Sequence, residues 1–245
     1  MSTAQASSAS DALELSLDRA RVYRALARLF LEPHAESITS ARERDLPELC
    51  EALERLSGDR DLAAEARSLC DLFEGIDVDQ LRKGHHDAFD ESSRTRCALT
   101  EMDQPGGPPQ QELVRTFELA DVAGFYKAFG VEVDPEGLRV DHIVTELDFM
   151  NLLAVKESIA LREDGEGEHA QICHDASRVF LRDHLLRWAP ALGELLAGGD
   201  GHPVYRAAGR VLRDFVRFDA TRIDADGAPV QLIDPTKQSE RTPSP

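Results

Sequence analysis

The chain is short of lysine and of positive charge in general. Its 245 residues include 46 acidic and 28 basic side chains, which gives a formal charge of −18. Only four of the basic residues are lysines. Such a chain repels the phosphates of nucleic acids and anionic membrane surfaces, so we expect no nucleic-acid partner. The acidic excess fits either solubility in high salt or a cationic partner, such as a peptide that carries arginine.

Cysteines and long apolar segments are also scarce. The four cysteines contain no CxxC pair and lie far apart in sequence, which argues against a zinc ribbon or a secreted disulfide framework. No segment has the apolar length needed to cross a bilayer, and residues 1–11 lack the basic patch and apolar run of a secretory signal. We therefore expect a cytoplasmic protein without stable membrane insertion.

Apolar residues recur at helical spacing along most of the chain. In the first such stripe, Leu15, Val22, Leu26 and Leu29 follow one another at three-, four- and seven-residue steps until Pro33. No segment shows the alternation of a strand. The pattern predicts an all-α protein with a single helical-bundle domain over residues 11–218. We expect a disordered N-terminus over residues 1–10 and a disordered polar tail over residues 219–245.

One region interrupts the helical pattern. Residues from about 91 to 108 include the run Gln104–Pro109, in which prolines and glycines cannot continue a helix. This stretch is the best candidate for a hinge loop within the bundle.

The densest group of polar residues lies at a predicted helix start. Asp141 is placed to cap the helix, and His142 and Glu146 are four residues apart, so they share one helical face and could pair. The spacing alone favours plain capping with an ion pair over a binding site.

Metal-binding and catalytic patterns are incomplete. Residues 166–169 read Glu-x-x-His, but a di-iron bundle needs that pattern on two helices, and it occurs once. No nucleophile elbow or phosphate-binding loop is present. We therefore expect no metal, no cofactor and no enzymatic activity. The competing interpretation is a helical metal-dependent enzyme that uses His142, Glu146, His169 and Cys173.

Four segments resemble one known family in order and spacing. They are Tyr23–Phe30, Glu118–Val131, Val140–Met150 and Phe180–Pro190, and they are similar to the TorD/DmsD/NarJ family of redox-enzyme maturation chaperones. The third resembles the family's Asp-His lead into Glu-Leu-x-Phe-Met, with Val140 where relatives have proline. Residues 97–102 read Cys-Ala-Leu-Thr-Glu-Met where relatives often have Pro-Pro-Tyr-Glu-Ser, and only Glu101 matches.

The resemblance implies an all-helical monomer or homodimer that binds the catalytic subunit of a molybdopterin oxidoreductase. Family members hold the client's N-terminal signal segment, often twin-arginine, and assist cofactor insertion into the apoenzyme before export. A receptor for such a segment needs carboxylates beside an apolar groove. The positions that the resemblance assigns to peptide binding are Asp141 and His142, with Glu146, Phe149, Tyr126, Trp188 and Glu101 around the groove. An unrelated helical scaffold is the third interpretation.

Overall fold

The computed structural model describes residues 3–58, 60–90, 97–104, 112–134, 136–164 and 167–224. Over these ranges the protein is all-α, as predicted. The helices are α1 (Thr3–Leu29), α2 (Ala35–Ser40), α3 (Leu46–Ser57), α4 (Arg60–Phe73), α5 (Val78–Phe89), α6 (Glu112–Ala128), α7 (Ile143–Asp164), α8 (Glu168–Phe180), α9 (Leu186–Gly198) and α10 (Pro203–Arg222). π-Helical turns join α2 to α3 and α8 to α9.

The helix boundaries follow local chemistry. Asp77 precedes α5, and its carboxylate accepts hydrogen bonds from the backbone N–H groups of Asp79 and Gln80. α3 ends at Gly58, which has a left-handed φ of 53°, and Gly130 ends the turn after α6 with a φ of 77°. Glycine adopts these values without the steric penalty that a Cβ atom causes.

Two helix pairs form the centre of the bundle. α1 packs along α7, and α10 packs along α9, while α3 and α4 flank them. The largest fully buried aromatic side chains are Tyr23, Phe30, Tyr126, Phe180 and Phe215. Each such side chain stabilises the fold by roughly 1.5–3 kcal/mol relative to exposure. Within the described ranges, no helix has both the length and the apolar character that crossing a membrane requires.

α9 and α10 approach each other at a pair of glycines. A Cβ atom on Gly193 would lie 2.5 Å from the carbonyl oxygen of Gly209, and one on Gly209 would lie 2.7 Å from the carbonyl oxygen of Gly193. Neither distance leaves room for a side chain. The two glycines therefore allow the close approach of α9 and α10.

Several predicted boundaries differ from the structure. The predicted disorder of residues 1–10 is wrong for residues 3–10, because α1 begins at Thr3. These small polar residues carry no apolar stripe, so the helical pattern could not be read from them. α10 continues to Arg222, so a disordered tail from residue 219 was the wrong prediction for residues 219–222. α9 was not predicted, since it contains Pro190. Residues 225–245, and 91–96 and 105–108 of the proposed hinge, lie outside the described residues.

A buried ionic network, here called the Arg19 network, ties α1 to α7, α8 and α10. The Arg19 guanidinium donates to Asp219 at 2.8 Å and to Glu157 at 3.1 Å. The Tyr23 hydroxyl donates to Asp219 at 2.5 Å. Ser16 donates to Glu157 at 2.7 Å, and His174 Nδ1 lies 3.1 Å from its other oxygen. Charged groups buried together need this degree of satisfaction.

Electrostatics within the network favour the ionised carboxylate of Glu157. Burial alone would raise its pKa, but the hydrogen bond from His174, the charge of Arg19 and the hydrogen bond from Ser16 outweigh burial and lower it. The contacts of Glu157 therefore contribute more stability when its carboxyl group is charged.

Candidate functional site

Residues 97–104, here called the docked segment, lie against the start of α7. The backbone N–H of Glu101 donates to the carbonyl of Asp141 at 2.9 Å, and that of Ile143 donates to the carbonyl of Leu99 at 2.7 Å. These bonds bring Glu101 beside the Asp141–Glu146 group, although about forty residues of chain separate them. This segment falls within the predicted hinge, and residues 97–104 of it are held by backbone pairing.

Asp141 is fully buried and does not cap α7. Its carboxylate accepts a hydrogen bond from the Met102 backbone N–H at 3.1 Å and two from Arg139 at 3.0 and 2.9 Å. The cap is His142, whose Nδ1 accepts from the Val144 backbone N–H at 3.2 Å. The predicted capping role of Asp141 was wrong because its carboxylate turns toward the docked segment. It holds that segment and Arg139 in place.

His142 is half-buried and electrically neutral. Burial, followed by the nearby charges of His85 and Arg139, lowers its pKa to about 4. The predicted pairing of His142 with Glu146 is not formed, because Glu146 points inward instead.

Glu146 and Trp188 meet in the interior. The indole N–H of Trp188 donates to Glu146 Oε2 at 3.1 Å, while Glu146 Oε1 has no hydrogen-bond partner. Burial, reinforced by the charge of Glu101, raises the pKa of Glu146 well above its ordinary value. Burial therefore favours the neutral form of this carboxyl group.

Beside this pair lies His184, which is buried with Glu101. Its Nδ1 lies 3.4 Å from Glu101 Oε2, and its Nε2 lies 3.2 Å from Asp121 Oδ2. Both distances are those of ion pairs, but neither contact has the angles of a hydrogen bond, so both ring nitrogens and Glu101 Oε2 lack hydrogen-bond partners. Arg187 reaches Glu118 at 3.2 Å and Glu101 at 3.8 Å. We call Glu101, Glu146, His184 and Trp188 the Glu146 cluster.

An open groove of about 330 Å³ runs between the loop after α6 and the first turns of α7. Two of the predicted residues, Tyr126 and Phe149, pack against each other in its wall with ring centroids 4.7 Å apart and ring planes tilted by 56°. The Tyr126 hydroxyl donates to the Val140 carbonyl at 2.8 Å, which fixes the loop against the helix. The other apolar lining residues are Val131, Val133, Leu138, Val144 and Leu152.

Acidic residues line the same groove. Glu132, Asp134 and Asp148 are among its lining residues, and no lysine or arginine is. Leu138 is 42% exposed, so part of the apolar wall is open to solvent. Apolar surface beside carboxylates is the combination that an arginine-bearing apolar segment requires.

The structure gathers the predicted residues but places most of them inside the protein. Six of the seven are at most 3% exposed, and His142 is the exception. Asp141, which was expected at the peptide-binding surface, is fully buried, because its oxygens are occupied by Arg139 and the docked segment. A role of these seven residues in peptide binding stays a prediction. Sequence reasoning missed the acids of the groove and His184, although His184 and Trp188 are four residues apart on one helical face.

The four residues of the competing metal-enzyme interpretation are not assembled. Among the described residues, one group of potential metal ligands has its ligand atoms within 4.8 Å of one another, and its members are Glu101, Glu118 and His184. His142, Glu146, His169 and Cys173 are not part of it. On α8, His169 is exposed to solvent whereas Cys173 is buried, so the two side chains do not face a common site.

Comparison with known proteins identifies the family. Residues 57–194 match the family model described as nitrate reductase delta subunit. The chaperone protein TorD of Vibrio cholerae is 29% identical, over 84% of this chain and 83% of that protein. The chlorate reductase assembly chaperone protein of Ideonella dechloratans and the selenate reductase assembly chaperone protein of Thauera selenatis are each 30% identical, over 48% of this chain and 58% of theirs.

A crystal structure of a candidate redox enzyme maturation protein from Archaeoglobus fulgidus aligns with a TM-score of 0.46 and 14% identity, over 81% of this chain and 93% of that one. The family match covers more than half of the sequence. The chain belongs to the nitrate reductase delta subunit family, which includes NarJ and TorD. The relatives named above are chaperones or assembly proteins.

Proposed function

We propose that the protein is a cytoplasmic maturation chaperone that binds the N-terminal signal segment of the catalytic subunit of a molybdopterin reductase. On this proposal it keeps the apoenzyme competent for cofactor insertion before export. Family membership supports the general role, and the relatives' names associate that role with reductases. The observation that carries the finer proposal is the apolar groove with its acidic lining between the α6 loop and α7.

The chemistry of the groove matches that of a signal segment. Such a segment presents arginines next to an apolar run, and a guanidinium binds a carboxylate through two parallel hydrogen bonds. The carboxylates of Glu132 and Asp148 can accept hydrogen bonds from the arginines of the segment, while Leu138 and Leu152 contact its apolar residues. A volume of about 330 Å³ accommodates a few side chains rather than a folded domain.

The buried residues of the predicted site act as the frame of this groove. Tyr126 bonds to Val140, and Asp141 holds both Arg139 and the segment around Met102. Binding affinity thus depends on Asp141 through the position of the loop, not through direct contact with the client.

Calorimetric titration with a synthetic peptide tests the proposal. The peptide carries two adjacent arginines followed by a leucine-rich run, and its matched control has glutamines in place of the arginines. We expect the arginine peptide to bind, and a protein with Glu132→Gln and Asp148→Asn to bind it at least tenfold more weakly. Glu74→Gln removes an exposed acid outside the groove and should change nothing. Equal affinity for both peptides would refute an acidic receptor for arginine.

Co-expression tests the wider role. The protein should co-purify with the cofactor-free catalytic subunit of a molybdopterin reductase from the same organism, and deletion of the client's first residues should abolish the complex. Recovery of the fully loaded enzyme with equal yield would contradict a role before cofactor insertion.

A further inference from the structure

We propose that Glu101, Glu118 and His184 bind one divalent transition-metal ion, such as Zn²⁺ or Mn²⁺. Their ligand atoms lie within 4.8 Å of one another, although they come from the docked segment, from α6 and from the π-helical turn before α9. Two carboxylates and an imidazole form a donor set that suits borderline divalent metals. The inference is independent of client binding.

The unsatisfied atoms of the cluster point to a missing partner. His184 is 0% exposed and Glu101 is 3% exposed, yet both imidazole nitrogens and Glu101 Oε2 lack a hydrogen bond. Buried polar atoms are rarely left without a partner. A metal ion would bind the lone pair of one imidazole nitrogen and a Glu101 oxygen at once. The other ring N–H would then face a carboxylate, as metal-bound histidines commonly do.

A small adjustment completes the geometry. Ligand atoms on one zinc ion lie about 3–4 Å apart, since each metal–ligand bond is about 2 Å long. The observed separations of up to 4.8 Å therefore require a movement of about 1 Å. Glu118 can supply it, because its side chain is 25% exposed and lies at the edge of the cluster.

Arg187 is the natural competitor of the metal. Its guanidinium lies 3.2 Å from Glu118 and 3.8 Å from Glu101, so it already neutralises part of the carboxylate charge. Its side chain is 43% exposed and can turn into solvent when a metal enters. The metal and the guanidinium thus compete for the same oxygens. The proposal therefore predicts that removing Arg187 strengthens metal binding, whereas removing a ligand weakens it.

Calorimetric titration of chelator-treated protein with Zn²⁺ or Mn²⁺ alone measures the site. We expect one equivalent to bind to the wild type. Glu118→Gln should weaken binding at least tenfold, whereas Arg187→Gln should strengthen it severalfold because the competing cation is removed. Both residues are at the edge of the cluster, so neither change threatens folding, and Glu74→Gln serves as the control. Failure of the wild type to bind either metal would overturn the proposal, as would an unchanged affinity in both variants.

We also infer, from a separate observation, that Cys50 and Cys70 form a disulfide under oxidising conditions. Their sulfur atoms lie 2.8 Å apart across α3 and α4, and both residues are half-buried, so a small oxidant can reach them. With glutathione disulfide, the Cys50 thiolate attacks one sulfur and releases one glutathione. Cys70 then gives up its proton and attacks the Cys50 sulfur, which releases the second. Two thiols are oxidised, and one glutathione disulfide is reduced to two glutathiones.

Thiol counting after incubation with glutathione disulfide tests this inference. The number of titratable thiols in the unfolded protein should fall from four to two, and peptide mass analysis should show a Cys50–Cys70 link. In the Cys50→Ser variant all three remaining thiols should stay free of intramolecular links. A wild type that keeps four thiols, or a link that involves Cys97 or Cys173, would refute the pairing.

Discussion

The Arg19 network and the Glu146 cluster are both buried groups of carboxylates and nitrogen donors, but they differ in how well their atoms are paired. In the Arg19 network, Arg19, Glu157 and Asp219 have hydrogen-bond partners in four helices. In the Glu146 cluster, four atoms of Glu101, Glu146 and His184 have none. A satisfied buried network rigidifies a fold, whereas a partly satisfied one costs stability and persists where function requires it.

The surroundings of the two groups also shift the pKa values of their carboxyl groups in opposite directions. Partners lower the pKa of Glu157 despite its burial, while burial and a neighbouring acid raise the pKa of Glu146. The comparison assigns stability to the first group. The second group contains two of the three ligands of the proposed metal site.

The largest expected effect comes from removing the cation of the Arg19 network. Arg19→Met leaves Glu157 and Asp219 buried without their counter-ion and should lower the free energy of unfolding by about 3–5 kcal/mol. Urea unfolding followed by circular dichroism measures this. Arg67→Met removes an exposed ion pair with Glu54 and should cost less than about 1 kcal/mol. Equal costs for the two variants would show that the network does not stabilise the fold.

Two matched substitutions of glutamate by glutamine should also lower the free energy of unfolding by different amounts, although the losses are smaller than for Arg19→Met. Glu157→Gln replaces a charged acceptor and should lower the free energy of unfolding by about 2–3 kcal/mol. Burial favours the neutral form of the Glu146 carboxyl, and an amide oxygen can still accept from Trp188, so Glu146→Gln should cost less than about 1 kcal/mol. The same urea experiment compares the two variants. A larger loss in Glu146→Gln would contradict the opposite directions of the two pKa shifts.

The pH dependence of stability should have opposite signs at the two glutamates. The lowered pKa of Glu157 means that its contribution is present above the ordinary carboxyl range and is lost as the pH falls. The raised pKa of Glu146 means that its contribution is present at low pH and is lost as the pH rises. Each slope is limited to about 1.4 kcal/mol per pH unit.

Unfolding experiments between pH 2.5 and pH 8 measure these slopes as differences between the wild type and each glutamine variant, with the Glu157 slope expected below the ordinary carboxyl pKa. The advantage of the wild type over Glu157→Gln should grow with pH, and its advantage over Glu146→Gln should shrink. Parallel slopes would remove the distinction between the two groups.

The helices could be predicted from the sequence where an apolar stripe is long and regular. α7 is an example, since Leu147, Met150 and Leu161 recur on one face and are buried. α9 escaped prediction because Pro190 and the close approach at Gly193 hide its periodicity. Asp219 looked like the start of a polar tail, and only the position of Arg19, 200 residues earlier, explains its burial.

The site could be predicted only in part. The family resemblance pointed to Glu101, Asp141 and Glu146, and the structure places them together. Their orientation could not be predicted, because an N-terminal helix position gives no information about a segment that docks from forty residues away. The metal ligands proposed at Glu118 and His184 come from separate elements, so no local spacing signals them.

The division of work between the fold-stabilising network and the groove is tested most directly by measuring stability and peptide affinity in two variants. Leu138→Lys places a positive charge in the exposed wall of the groove and should weaken binding of the twin-arginine peptide at least tenfold while the urea midpoint stays unchanged. Glu157→Gln should lower the midpoint and leave the affinity of the folded protein as it was. Loss of affinity in Glu157→Gln with full affinity in Leu138→Lys would contradict the account.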